Sequence, residues 1–190
     1  VPQRRRRYIV VGERKDVGNN YVYPTPTGMH RTVRDTIGDL PVPPQDGTDY
    51  PGLSLHRRDR LSERNLQRIR AIKEGQGRDD LPDDLLADCH RVDSSVIGFR
   101  SVYGRMVWDD VAPTITARFD SFTRGKFGHP TQDRSISLRE GALLQTFPID
   151  FEFTGNKVDI ARQIGNAVPP VMAECIGKSI IDSYEKTGDN

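Results

Sequence analysis

The chain has 190 residues, enough for one or two domains, but only 35% are hydrophobic while 29% are charged, a thin apolar complement for a self-sufficient core. Such a balance fits a partly disordered chain or a piece of something larger. A formal charge of +1 excludes an overall basic field, no apolar stretch approaches a membrane span, and no charged-then-apolar leader precedes a small-residue cleavage site.

Arg4 to Arg7 form an unbroken run after Gln3. On a strand, Gln3, Arg5 and Arg7 share one face, and Arg4 and Arg6 the other. Tyr8-Ile9-Val10-Val11-Gly12 continues as one buried strand with nothing beside it in sequence to pair with. Forked polar groups beside an apolar run suit a phosphate or a carbonyl oxygen; the plain alternative is an exposed basic terminus.

Val17 to Gly28 reads as loop, and Thr32 caps a brief helix that ends near Gly38. Pro41 to Gly52 holds four prolines and two glycines and marks the strongest domain boundary. Ser62 opens a helix to about Lys73, with Leu66, Ile69 and Ile72 on one face and Arg64, Arg68 and Arg70 on the others. Together with Arg57, Arg58 and Arg60 these arginines are either a phosphate footprint or a solvated, salt-bridged helix. A short helix is expected from Asp83 to Cys89. Cys89 and Cys175 fit no metal-ligand spacing and no disulfide framework, so a reducing, cytoplasmic setting is expected. Adjacent residues seldom face each other productively, which argues against Cys89-His90 as a catalytic pair.

From Val102 onward, Tyr103, Met106-Val107-Trp108 and Thr114-Ile115-Thr116 read as short strands, and Arg118 to Pro130 as loop. Ser137-x-x-Glu140 is a capping box opening a helix from Leu138 to Thr146, ended by Pro148. Gly165-Asn166-Ala167-Val168-Pro169-Pro170 reads as a loop into a helix start. Open N–H groups there suit an anionic or polar ligand, unless the stretch is only a tight turn with a proline start. The last helix runs to about Tyr184 with Val171, Met172, Cys175, Ile176 and Ile180 as its apolar stripe, and Lys186 to Asn190 should fray.

Three ordered stretches resemble shared motifs of DNA (cytosine-5) methyltransferases. Val1 to Arg14 (VPQRRRRYIVVGER) looks like the Gln-x-Arg-x-Arg strand, and His129–Phe153 and Ile160–Ile180 resemble the last two motifs. Arg139, Glu140, Ala142, Gln145, Phe147 and Pro148 match Arg-Glu-x-Ala-x-x-Gln-x-Phe-Pro, with Gly141 where alanine is usual and helix propensity is slightly lowered. Thr114-Ile115-Thr116 resembles the threonine-hydrophobic signature of the target recognition domain.

The resemblance implies an α/β fold: a partial Rossmann-like methyltransferase domain, made of its last strand or strands and C-terminal helix, with an inserted small α+β target recognition domain. Residues 1–45 and 155–190 would belong to the catalytic domain, and 46–154, including the helix 138–146, to the inserted one. It implies that Arg7 donates to the O2 of an extruded cytosine as the ring is attacked at C6, with Arg5 and Gln3 organising the pocket. Asn166, Ala167 and Val168 would lie against S-adenosyl-L-methionine. Thr114, with Thr116, would touch the DNA backbone, and Arg105, Arg118, Arg124 and Lys126 are candidates for groove contacts. The helix 138–146 would do structural work.

The family's Pro-Cys-Gln, Glu-Asn-Val and Phe-x-Gly-x-Gly motifs are absent: Cys89 follows Asp88, and Cys175 follows Glu174 on an apolar stripe where an inert thiol is expected. The expectation is the C-terminal part of a methyltransferase, excised or a natural second subunit, inactive alone and partnered by double-stranded DNA and a missing N-terminal catalytic half. Uncovered apolar surface would otherwise drive homo-association. The rival expectation is a non-catalytic, sequence-specific DNA-binding module built on the arginine helix, and a third is an RNA methyltransferase of related fold.

Overall fold

Side-chain caps set the starts of the first four α-helices of the computed structural model, which describes residues 1–16, 21–26, 28, 30–88 and 101–188. The first helix, α1 (Val33–Ile37), carries a full capping box: Thr32 accepts the Asp35 N–H and Asp35 accepts the Thr32 N–H. Ser62 caps α2 (Glu63–Ala71), and Ser137 with Glu140 boxes α3 (Leu138–Leu144). Asn156 caps α4 (Lys157–Asn166), accepting from the Val158 and Asp159 N–H groups at 2.9 and 3.0 Å. The last helix, α5, runs Pro170–Gly188.

The helix α4 is absent from the sequence expectations, although Asn156 followed by buried Ile160, Ala161 and Ile164 at helical spacing is its signature. Gly165 and Asn166, expected in a loop, are its last turn. The helix expected from Asp83 to Cys89 is a 3-10 turn, Asp83–Leu85, in its described part; Cys89 and His90 lie outside the described residues.

The expected strands do not form. Among the described residues there is no β-ladder, only isolated bridges: Gln3 with Ala112 and Arg105 with Gly128 in parallel, Gly128 with Ser135 and Tyr50 with Leu53 antiparallel. Tyr103, Met106 and Ile115 are buried as a strand face would be, but their backbones exchange single bonds with neighbouring loops, as in Met106 N–H to Gly128 O at 2.9 Å. Tyr8 to Gly12 is corrected likewise: Val10 is 89% exposed, and among the described residues no neighbouring strand pairs with it, as an isolated strand requires.

The larger core joins elements between Val33 and Ile164. Val33 and Ile37 of α1 and Ile160 and Ile164 of α4 pack with Ile115, Phe119 and Leu144 from the segment between. A second, smaller core sets Ile69 and Ile72 against Leu81, Val102, Tyr103 and Phe122. A Cβ on Gly141 would stand 2.0 Å from the Phe119 ring, so glycine in α3 makes room for that ring. The local helix penalty has a tertiary reason.

Candidate active site

The bridge at Gln3 orients the basic N-terminal segment. Ala112 N–H donates to Pro2 O at 2.9 Å and Arg4 N–H donates to Ala112 O at 3.0 Å. Gln3, Arg5 and Arg7 therefore line one cavity of about 440 Å³, while Arg4 turns outward, 3.6 Å from Asp110. The alternation expected from a strand holds here although the strand does not extend.

Arg5 is half-buried, and its Nη1 donates to Ile115 O at 3.0 Å and Gly165 O at 3.1 Å. Partial burial, and then the like charge of Arg7, lower its pKa from the usual value; a guanidinium nonetheless stays protonated. Arg7 is exposed and, among the described residues, donates only to Arg6 O, at 2.7 Å.

The facing wall is Asn166, Ala167, Val168 and Pro169, continued by Met172 and Ile176 of α5. Asn166 and Arg7 thus share one cavity. Gly165 permits this approach: a Cβ there would lie 2.2 Å from the Thr116 carbonyl. The anion-binding helix start expected at α5 is largely closed. Pro169 and Pro170 have no N–H, and the Val171 N–H is taken by Thr146 Oγ1 at 3.2 Å.

The expected DNA contacts separate into two groups. Arg105 is corrected: it is 5% exposed, and its five N–H hydrogens go to Ile72 O, His129 O, Gln132 O, Ile69 O and the Asp133 carboxylate. Nothing remains for a base. Lys126 is half-buried with its ammonium on Gly75 O at 3.1 Å. Thr114 donates its hydroxyl hydrogen to Arg4 O at 2.6 Å, so a phosphate contact requires that bond to be exchanged. Thr116, Arg118 and Arg124 are exposed, and Arg118 lies 3.5 Å from Asp120.

The arginines of α2 are also engaged. Arg68 is buried, bonded to Leu85 O at 2.8 Å and placed over the Tyr103 ring. Arg64 donates to Asp84 O and Arg70 faces Asp133 at 3.5 Å. This weakens the DNA-binding helix of the rival expectation. Gln145, in the helix given structural work, is buried behind the cavity and bonds two residues of its wall: it donates to Ala167 O and accepts from Gln3.

The family model for C-5 cytosine-specific DNA methylase matches residues 1–182. The chain belongs to the C-5 cytosine-specific DNA methylases. It is similar to Type II methylase M.HgiDII of Herpetosiphon aurantiacus, 44% identical over 185 residues, covering 95% of the chain and 51% of that protein. Type II methyltransferase M.NgoFVII of Neisseria gonorrhoeae is 35% identical over 192 residues, covering 98% and 49%. DNA (cytosine-5)-methyltransferase 3 of Arabidopsis thaliana is 34% identical over 173 residues, covering 78% and 12%. The methylase chain therefore spans about half the length of the two bacterial relatives. A solved DNA modification methyltransferase from an E. coli prophage covers 70% of the chain and 30% of its own length at 25% identity, and its TM-score of 0.48 adds nothing to the assignment. Among the described residues of this methylase, no helix is long and apolar enough to cross a membrane.

Proposed function

We propose that this chain is the C-terminal part of a DNA cytosine-5 methyltransferase, and that it binds duplex DNA and completes the pockets for an extruded cytosine and for S-adenosyl-L-methionine. The observation that carries this reading is the single cavity bounded by Gln3, Arg5 and Arg7 on one side and Asn166, Ala167 and Val168 on the other. The three domain segments, 1–45, 46–154 and 155–190, follow from the same reading, with α1 and α4 packed onto the inserted part.

Arg7 is the exposed cation of the pocket and Arg5 the anchored one. With Nη1 held by two carbonyls, Arg5 keeps its charge in place while Arg7 donates to the base, where negative charge grows as the ring is attacked. The residues fit the cofactor: Asn166 lines the cavity beside an apolar wall of Val168, Met172 and Ile176, a combination suited to a polar amino-acid head on a thioether chain. When bound, S-adenosyl-L-methionine supplies the methyl group. Thr116, Arg118 and Arg124 face the DNA, with Thr114 and Lys126 behind them.

The nucleophile, the N3-binding glutamate and the cofactor glycines belong to a polypeptide carrying Pro-Cys-Gln, Glu-Asn-Val and Phe-x-Gly-x-Gly, and this chain alone transfers no methyl group. A cytoplasmic restriction–modification system is the expected setting. Mixing the chain with such a polypeptide and measuring labelled methyl transfer to duplex DNA tests the reading. Transfer only from the mixture supports it; DNA binding without complementation favours a non-catalytic binding module instead.

A further inference from the structure

We propose that the end of α3 is a clamp, in which Gln145 and Thr146 are positioning residues that hold the 164–171 turn against Gln3 and so set the spacing of the two pocket walls. Two carboxamides meet there, Gln145 buried and Gln3 half-buried. The Gln145 nitrogen donates to Ile164 O at 2.9 Å and Ala167 O at 3.0 Å, while its oxygen accepts from the Gln3 side chain. Gln3 gives its second hydrogen to Leu144 O at 3.2 Å, and its oxygen accepts the Ile115 N–H at 3.2 Å. Each side chain uses both donors and its acceptor. Turning the Gln145 amide over would press its oxygen against two carbonyl oxygens, so the network has one orientation.

Thr146 supplies an independent observation. It is a β-branched residue at φ 71°, in the left-handed region where glycine is usual after a helix. The turn itself, closed by Thr146 N–H to Leu143 O and Phe147 N–H to Ala142 O at 2.8 and 2.9 Å, would form with glycine. What threonine adds is the hydroxyl that accepts the Val171 N–H at 3.2 Å. Backbone strain persists where its surroundings over-determine it, and here it fastens the far end of the turn that Gln145 grips. Through Gln3, the same joint reaches Ile115 in the recognition segment. The functional half of this inference rests on the reading of Gln3–Arg7 and Asn166–Val168 as pocket walls.

Amide hydrogen exchange on the chain itself tests the clamp. Gln145→Met keeps the side-chain length and removes every hydrogen bond. It does not touch Ile115, yet exchange at the Ile115 N–H is expected to rise about tenfold as Gln3 loses its orientation. The Glu140 amide, bonded to Ser137 Oγ in the same helix, should not change. Thr146→Gly relieves strain, so the melting temperature holds or rises while exchange at Val171 increases; a purely structural residue would move both the same way. Unchanged exchange at Ile115 in the first variant, an equal rise at Ile115 and Glu140, or unchanged exchange at Val171 in the second overturns the clamp. In the complemented enzyme both variants should raise the KM for S-adenosylmethionine more than they lower kcat, and unaltered KM values sink the functional half. An inactive wild-type mixture sinks the methyltransferase reading instead and leaves the exchange result standing.

Discussion

Arg134 and Glu140 meet as a two-pronged ion pair, both N–O distances 2.7 Å, with neither side chain more than 2% exposed. The same carboxylate accepts the Ser137 N–H at 2.6 Å, so the pair and the helix cap are one unit. Burial alone raises the Glu140 pKa, but the Arg134 hydrogen bonds and charge outweigh it and hold the carboxyl below its usual range. Arg134→Met strands a buried charge and should cost about 3–5 kcal/mol by denaturant unfolding at pH 7. A depressed folded pKa means that the contribution is complete above the unfolded value, about 4.3, and is lost as pH falls through the folded one. The gap between wild type and variant should therefore narrow below that pH, and a constant gap refutes the coupling.

His129 sits behind that pair. Burial first, and then the Arg134 charge, push its pKa down to about 4, while Nδ1 accepts the Gln132 N–H at 3.0 Å. The unfolded chain takes up this proton near 6.5 and the folded chain only near 4, so stability is full above the first value and drains as pH falls toward the second. Going from pH 7 to pH 5 should cost about 2 kcal/mol at this site. His129→Asn keeps an acceptor and has nothing to titrate, so urea midpoints between pH 7 and 5 should flatten. An undiminished slope would assign the pH dependence elsewhere.

Gly141→Ala should destabilise the protein despite alanine's helix advantage of about 1 kcal/mol, because the new methyl meets the Phe119 ring. Overpacking of this kind costs about 1–3 kcal/mol. Phe119→Leu should recover part of the loss in the double variant, read as a coupling energy in a thermal-melt cycle. Additive losses would show that the two positions do not press on each other.

Arg105 and Arg124 should respond oppositely to substitution. Arg105→Lys cannot replace five bonds to the backbone and Asp133, so the melting temperature falls while the salt slope of DNA binding is kept. Arg124→Gln, at an exposed position, should leave melting unchanged and reduce that slope by about one. The reverse pattern would return Arg105 to the DNA face.

Val10 and Ile181 are 89% and 57% exposed, apolar side chains that the absent half of the proposed enzyme would cover. The isolated chain should associate with itself in sedimentation experiments. Val10→Lys with Ile181→Lys should shift it toward monomer, and the complementing half should do the same for wild type. A monomeric wild-type chain at high concentration contradicts this.

Residue identity alone determined what depends on near neighbours. Thr32, Ser62 and Ser137 cap helices because a hydroxyl reaches N–H groups two or three residues on, and Gln3, Arg5 and Arg7 share a side because extended backbone alternates. The motif order identified the family from the same local information. Only the tertiary structure decided where the long polar side chains end. Arg105, Arg68 and Gln145 are spelled like surface residues, yet each is drawn inward by carbonyls at the ends of helices or turns: Ile72 O, Leu85 O and Ile164 O. A buried carbonyl must find a donor, and which donor reaches it depends on chain segments brought together from far apart in sequence. For the same reason Arg5 joins Ile115 to Gly165, while Tyr8 to Gly12, whose Ile9 O takes only the exposed Tyr23 hydroxyl at 3.2 Å among the described residues, stays outside the core.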